Sequence, residues 1–271
     1  MYKEFYQLED NPFRLSPDPR YFLFSSRARG IFDQLIYGLQ QGVGFMMLTG
    51  EVGVGKTSFL RYFLRNLDDK VERALIYNPT LGSSEELLKN IMLDWGVRKR
   101  FSRESRKVEL LRIILRYLIN RYQKNKKFLL IIDEAQALSD TLLEEVRLLS
   151  NFEADDEKLI QILLVGQAEL KKRINHPSWR QLHQRIAVKS ELPPLQQDEV
   201  GAYIRFRLTV AGTKEDFFQP DAIKAIFRAS RGIPRLINLI AERSLIAGYI
   251  SSRRTIGKQE VKMALRDLDI R

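Results

Sequence analysis

The chain has 271 residues, of which 44 % are hydrophobic, with no cysteine, two histidines (His176 and His183) and a formal net charge of +11. That length holds one large domain or a core with a small companion, while the composition excludes disulfides, thiolate metal sites and, for want of any run of roughly 20 apolar residues, a membrane-spanning helix. The charge favours a polyanion (nucleic acid, anionic lipid headgroups or nucleotide) over the plainer alternative of a basic protein with no such partner, and the acid in Met1-Tyr2-Lys3-Glu4-Phe5 argues against a secretory signal, so the cytoplasm is the expected compartment.

In chain order, residues 1–44 open on an aromatic and proline-rich segment in which Pro12, Pro17 and Pro19 disfavour regular structure. An amphipathic helix is expected over 26–41, with Ile31, Leu35, Ile36 and Leu39 on one face. The run Phe45 to Thr49 reads as a strand that ends in a glycine loop, and 57–67 as the helix after it. A second strand is expected at 73–77, and helices at 84–95 and 107–124. Phe128 to Ile132 is apolar throughout, as for a strand buried on both faces of a parallel sheet. A helix at 139–151, a strand at 159–165, a helix at 167–174 and a fifth strand at 186–192 continue the alternation, which predicts an α/β fold with helices on both faces of a parallel sheet. Pro193-Pro194 marks a change. Beyond it only helical periods are found, at 197–211, 220–229, 234–250 and 258–267, with Pro220 and Pro234 as helix starts. The expected organisation is an N-terminal segment (1–44) packing on the nucleotide site, an α/β core (45–194) and a small all-helical lid (195–271).

Gly50-Glu51-Val52-Gly53-Val54-Gly55-Lys56-Thr57, followed by Ser58, matches the phosphate-binding pattern G-x-x-x-x-G-K-[ST] in full, between a predicted strand and a predicted helix. Its glycines let backbone N–H groups turn toward phosphate oxygens, Lys56 supplies a point charge, and the Thr57 hydroxyl suits magnesium. Asp133-Glu134 directly succeeds the apolar strand, at the sheet edge where open α/β folds bind ligands. Asp133 is expected to hold magnesium, mostly through water, and Glu134 to activate or orient the attacking water. Asp133-Glu134-Ala135-Gln136 also resembles the box of superfamily 2 helicases, but those need a second RecA-like domain, and the residues after Pro194 read as helices.

Gly232-Ile233-Pro234-Arg235 at a helix start resembles sensor 2 of the AAA+ ATPases, whose Walker A and Walker B elements the two motifs above would be. The resemblance implies ATP as the nucleotide, with Arg235 over the γ-phosphate. It implies Gln167, after the strand 159–165, as sensor 1, and Asn78 as the polar partner that restrains Glu134. It places an arginine finger, acting on a neighbouring subunit, at Arg185 or, as second choice, Arg180. Phe5-Tyr6, Leu8, Asn11-Pro12-Phe13 and Pro17-Asp18-Pro19-Arg20-Tyr21-Phe22, with the approach Gly44-Phe45 to Thr49-Gly50, further resemble the bacterial ExeA-type proteins, the general secretion pathway protein A family. This implies Asn11, Pro12 and Phe13 as adenine contacts, with hydrophobic docking as the alternative. Longer ExeA-type members continue into a membrane span and a peptidoglycan-binding region, so anchoring is not carried over to a chain that stops at Arg271.

The stretch Arg98 to Lys127 is strongly basic, with only Glu104 and Glu109 against it. It is either the solvated face of an amphipathic helix or a polyanion surface, for DNA or for anionic membrane at the inner-membrane periphery. Three functions are open: an oligomeric ATP-hydrolysing protein that drives assembly of a secretion or pilus-type envelope machine, an ATP-dependent DNA-binding regulator similar to transposition target-selection proteins, or a nucleotide-binding switch with slow turnover, the last disfavoured by the presence of Lys56, Asp133, Glu134 and Arg235 together.

Overall fold

Runs rich in Leu, Ile, Val, Phe and Met have no polar face to show to water, and they become the inner strands of a sheet covered on both sides. In the computed structural model, which describes residues 2–16, 18–77, 81–97, 106–154 and 157–270, the strands are β1 (Phe45–Thr49), β2 (Val71–Ile76), β3 (Lys127–Ile132), the short pair β4 (Glu153–Ala154) and β5 (Glu157–Lys158), β6 (Gln161–Gly166) and β7 (Ile186–Glu191). Five of them form one sheet in the order β2-β3-β6-β1-β7, all pairs parallel, and β4 and β5 make a separate antiparallel hairpin. β1 and β6 are buried at every position.

The helices are α1 (Tyr2–Phe5), α2 (Ser26–Gln40), α3 (Lys56–Arg65), α4 (Ser84–Asp94), α5 (Lys107–Tyr122), α6 (Asp140–Leu149), α7 (Ala168–Ile174), α8 (Arg180–Arg185), α9 (Gln197–Val210), α10 (Pro220–Ser230), α11 (Pro234–Ile250) and α12 (Lys258–Asp267). Contacts divide the chain into two units that interleave in sequence, Ser26–Gly50 with Phe63–Leu192, and Met1–Ser25 with Glu51–Tyr62 and Pro193–Arg271. The segments 1–44, 45–194 and 195–271 expected from sequence run in chain order, whereas the structure joins α2 to the sheet and residues 1–25 to the C-terminal helices.

In the sheet unit, alternation along β1 sends Phe45 and Met47 into a core with Leu87, Leu88, Ile114, Leu143 and Leu170 from α4, α5, α6 and α7. Met46 points the other way, under α2. A Cβ at Gly38 of α2 would lie 2.9 Å from the Met46 sulfur and 3.0 Å from Val188, so a larger residue there would make those side chains shift. Buried Gln161 of β6 donates Nε2 to the Leu39 carbonyl (3.1 Å), supplying a partner to the end of α2.

The helical unit packs α9 to α12 around Ile204, Leu208, Ile226, Ile237, Ile240 and Leu245, and Tyr6, Leu8, Phe13 and Tyr21 of the N-terminal segment complete the same core. Pro220 and Pro234 occupy the first helical turns of α10 and α11, where a missing N–H costs nothing. The long elements fall within a few residues of the expected bounds. The differences are short ones: α1, the 3-10 turns Pro19–Tyr21, Ala135–Ala137 and Pro177–Trp179, the β4–β5 hairpin, α8, and a parallel bridge between Phe218 and Ile256 in a region expected to be helical only.

Candidate functional site

Parallel pairing brings the carboxyl ends of β1, β3 and β6 to one sheet edge. Thr49 pairs with Gly166, and Ile132 with Leu164. Asp133-Glu134 and Gln167, which succeed β3 and β6, therefore share the edge from which Gly50 leads into the glycine loop. Asp133 is buried, its N–H donates to the Ile76 carbonyl (2.9 Å), and its Oδ1 accepts from the Glu134 N–H (2.9 Å). Glu134 has a left-handed backbone, φ 53° and ψ 38°, uncommon for a residue with a side chain. Its Oε2 accepts from Gln167 Nε2 (3.0 Å) and from Gln136 Nε2, while Gln136 Oε1 accepts from the Gln167 N–H (3.1 Å). Gln167 thus lies on Glu134. Asn78, expected as the partner of Glu134, lies outside the described residues. From α7, Arg173 donates to the carbonyls of Leu138 (2.6 Å) and Gln136 (3.4 Å), pairs with Asp140, and lies over the Trp179 ring at 5.5 Å. Gln136 and Arg173 are site residues that sequence reasoning missed. The Asp-Glu-Ala-Gln box was the available signal for Gln136, and nothing local marks Arg173.

The loop itself belongs to the helical unit. Gly53 (φ 83°) and Gly55 (φ 101°) are left-handed, the conformation that turns successive N–H groups into an anion-binding concavity. Lys56 is buried at the start of α3 and donates Nζ to the Glu51 carbonyl (3.0 Å). Thr57 and Ser58 are half-buried in the first turn of α3, Glu51 and Val52 are exposed, and Val54 is buried. The Gly-Ile-Pro-Arg motif reaches this loop directly: the Arg235 N–H donates to the Gly53 carbonyl (3.1 Å), and a Cβ on Gly53 would stand 2.9 Å from Arg235 Cβ and 3.1 Å from Ile233. The Arg235 side chain is exposed. The left-handed glycines suit a phosphate chain, and a Thr hydroxyl and an Asp carboxylate are hard oxygen donors that suit magnesium.

Asn11, Pro12 and Phe13 lie within the helical unit. Asn11 donates Nδ2 to Glu242 (2.6 Å) and accepts from the Phe13 N–H (2.8 Å); burial and the Glu242 carboxylate push the neighbouring Tyr2 phenol well up. Pro12 is buried, and the fully buried Phe13 ring meets Phe218 edge-on. Buried Arg207 of α9 donates to the carbonyls of Pro12 and Arg14 (3.2 Å for Arg14). In the sheet unit Arg185, at the end of α8, donates to Ser150 (3.3 Å) and Asn151, while Arg180 is exposed and makes no ion pair among the described residues. Of the basic stretch, Arg98, Lys99, Arg100 and Arg103 lie outside the described residues. Lys107 pairs with Glu145 and Arg121 with Glu72, whereas Arg106, Arg112, Arg116 and Lys124 are exposed. No helix among the described residues is long and apolar enough to cross a membrane.

A phosphate-binding loop between strand and helix, carboxylates after a buried strand, and a Gly-x-Pro-Arg helix start on the loop define a class, and the AAA domain family profile matches residues 39–174, half of the chain. The chain belongs to the AAA domain family and is a nucleotide-binding protein of the AAA-type ATPases. In particular it is similar to General secretion pathway protein A of Aeromonas hydrophila, 40 % identical over 264 residues, which are 97 % of this chain and 48 % of that protein. The chain thus spans about half the length of that relative. Among solved structures it is similar in fold to the Aeropyrum pernix ORC2 protein in ADPNP–ADP complexes (TM-score 0.69, 18 % identity, 95 % of this chain and 71 % of that one). It is also similar to Drosophila ORC bound to DNA (TM-score 0.72, 15 % identity, 100 % of this chain and 66 % of that one).

Proposed function

We propose that the protein binds and hydrolyses ATP with magnesium as a homo-oligomer, and that it drives assembly of a secretion or pilus-type machine from the cytoplasmic side of the envelope. The observation that carries the nucleotide reading is the left-handed Gly53–Gly55 loop, with buried Lys56 behind it and Arg235 bonded to its backbone. In this reading the loop N–H groups and Lys56 bind the phosphates, Thr57 and Asp133 hold magnesium, Arg235 senses the γ-phosphate, and the segment Asn11–Phe13 lies toward the base. Magnesium supplies charge neutralisation on the phosphate oxygens. Glu134 orients the attacking water and accepts its proton. The envelope role is supported by the 40 % identity to General secretion pathway protein A.

Lys56→Ala is expected to lose nucleotide binding, measured by titration calorimetry, and Glu134→Gln to bind ATP yet turn it over at least about 100-fold more slowly. Wild-type turnover in Lys56→Ala would refute the loop assignment.

A second reading, ATP-dependent DNA binding, is favoured by the exposed Arg106, Arg112 and Arg116 on and beside α5 and by the charge of +11. Binding to duplex DNA that requires ATP and weakens steeply with salt would support it. No binding at low salt would remove it.

A further inference from the structure

Both hydrogen bonds that the Glu134 carboxylate accepts from the described residues fall on one oxygen, Oε2, from the side-chain amides of Gln136 and Gln167. A carboxylate gripped at one oxygen by two donors from different directions cannot rotate freely, and its other oxygen stays available to a water. Gln136 is itself held at both ends. Its Nε2 serves Glu134, and its Oε1 takes the Gln167 N–H at 3.1 Å. The packing around it leaves little slack. A Cβ on Gly166 would lie 2.7 Å from Gln136 Oε1, and Arg173 fixes the turn from behind through the carbonyls of Gln136 and Leu138. The short turn Ala135–Ala137 thus places one amide across two chain segments, the end of β3 and the end of β6.

We propose that Gln136 is a positioning residue for ATP hydrolysis, aiming the Glu134 carboxylate by bridging it to the Gln167 main chain. The inference rests on the reading of Glu134 as the water-activating group and adds a device to it. The glutamate is oriented by an amide two residues along its own loop, and that amide is anchored on the neighbouring strand. A shift of β6 or of α7 then moves the carboxylate through Gln136.

Two substitutions separate orientation from packing. Gln136→Met keeps length and volume but removes both hydrogen bonds. Gln136→Glu keeps the acceptor for the Gln167 N–H and replaces the donor to Glu134 by a second carboxylate. With ATP saturating, kcat is expected to fall about 10- to 100-fold in Gln136→Met, the range for one hydrogen bond to a charged group. It falls further in Gln136→Glu, and the Kd for ATP stays within about threefold in both. A packing role predicts the opposite order, because Gln136→Glu preserves the main-chain bond. Wild-type kcat in either variant, or that reversed order, overturns the proposal. Should Gln136→Met fail to fold, as judged by its melting curve, Gln136→Glu alone decides: a kcat lowered at least about 10-fold with the Kd for ATP within about threefold supports the proposal, and wild-type kcat overturns it. Glu134→Gln is measured beside them. If it turns over ATP normally, the parent reading of Glu134 fails. If it is inactive while Gln136→Met and Gln136→Glu are normal, only the positioning role fails.

Discussion

Two glycines, Gly232 of the helical unit and Gly96 of the sheet unit, show how single residues set what the backbone can do. Gly232 stands at φ 77°, its carbonyl accepts from the Leu195 N–H (2.9 Å), and an added Cβ would fall 1.9 Å from the Leu195 carbonyl oxygen. No rotamer change relieves a clash with main chain, so the Gly-Ile-Pro-Arg turn and the segment after Pro193-Pro194 close on each other only while residue 232 is glycine. Gly96 has a similar φ of 69°, but open space lies where its Cβ would go. Gly96→Ala is therefore expected to cost only the left-handed strain, about 1 kcal/mol. Gly232→Ala adds the displacement of Leu195 and is expected to cost at least about 3 kcal/mol, as overpacking joins strain. Urea unfolding of the two variants measures the difference. Equal losses would mean that the main-chain contact at 232 contributes nothing beyond φ.

At the scale of elements, one side chain of α9 makes several of the polar contacts that hold the N-terminal segment. Arg207 is buried. It donates to Pro12 and Arg14 carbonyls and to the Tyr203 hydroxyl (2.9 Å), and its guanidinium lies 4.7 Å from the Tyr21 ring centre. Replacing it with Met fills much of the volume but leaves two carbonyls without their cationic donor. Gross stability is expected to drop by about 2–4 kcal/mol, with amide exchange over 8–22 rising more than elsewhere in the unit. Uniform loss of protection would assign Arg207 to general packing.

This contact also marks what was legible in the sequence. The bounds of α2, α9 and α11 could be read because periodic apolar positions, Pro234 and the glycine loop are local signals. β3 could be read because, after exposed Lys127, Phe128 to Ile132 is buried and has no polar residue to blur it. Arg207 could not, since a helical arginine reads as a solvated cation until its partners, some 193 to 195 residues away, are folded beside it. Asn11-Pro12-Phe13 stood out as a motif, yet its partner Glu242 is 231 residues distant. Short elements such as α8 and the β4–β5 hairpin carry too few residues to establish a period. At the site, the positions of Asp133, Glu134 and Gln167 along one edge could be inferred from strand alternation, but the bridge through Gln136 depends on side-chain directions that spacing does not contain.

At the scale of the whole molecule, the open element is the arginine finger that the family resemblance leads one to expect from a neighbouring subunit. Arg185 is the first choice, and within its own sheet unit it is bonded to Ser150 and Asn151 beyond the end of α6. Reaching another subunit would require it to exchange those neutral partners for phosphate oxygens, an exchange that charge favours. Arg180, at the other end of α8, needs no such release. A mixing experiment discriminates. Lys56→Ala subunits have a damaged phosphate loop and intact arginines; Arg185→Ala subunits have the reverse. Each alone is expected to lose ATPase activity, the second by roughly 10³- to 10⁵-fold if the arginine acts as a finger on the transition state. Mixed in equal amounts, they are expected to recover activity, because intact loops then meet intact arginines across subunit boundaries. A mixture no more active than the sum of its parts would rule out action in trans. If Arg185→Ala is normal while Arg180→Ala is inactive and complements Lys56→Ala, the finger is Arg180, and the Ser150–Asn151 contact is a structural anchor for α8.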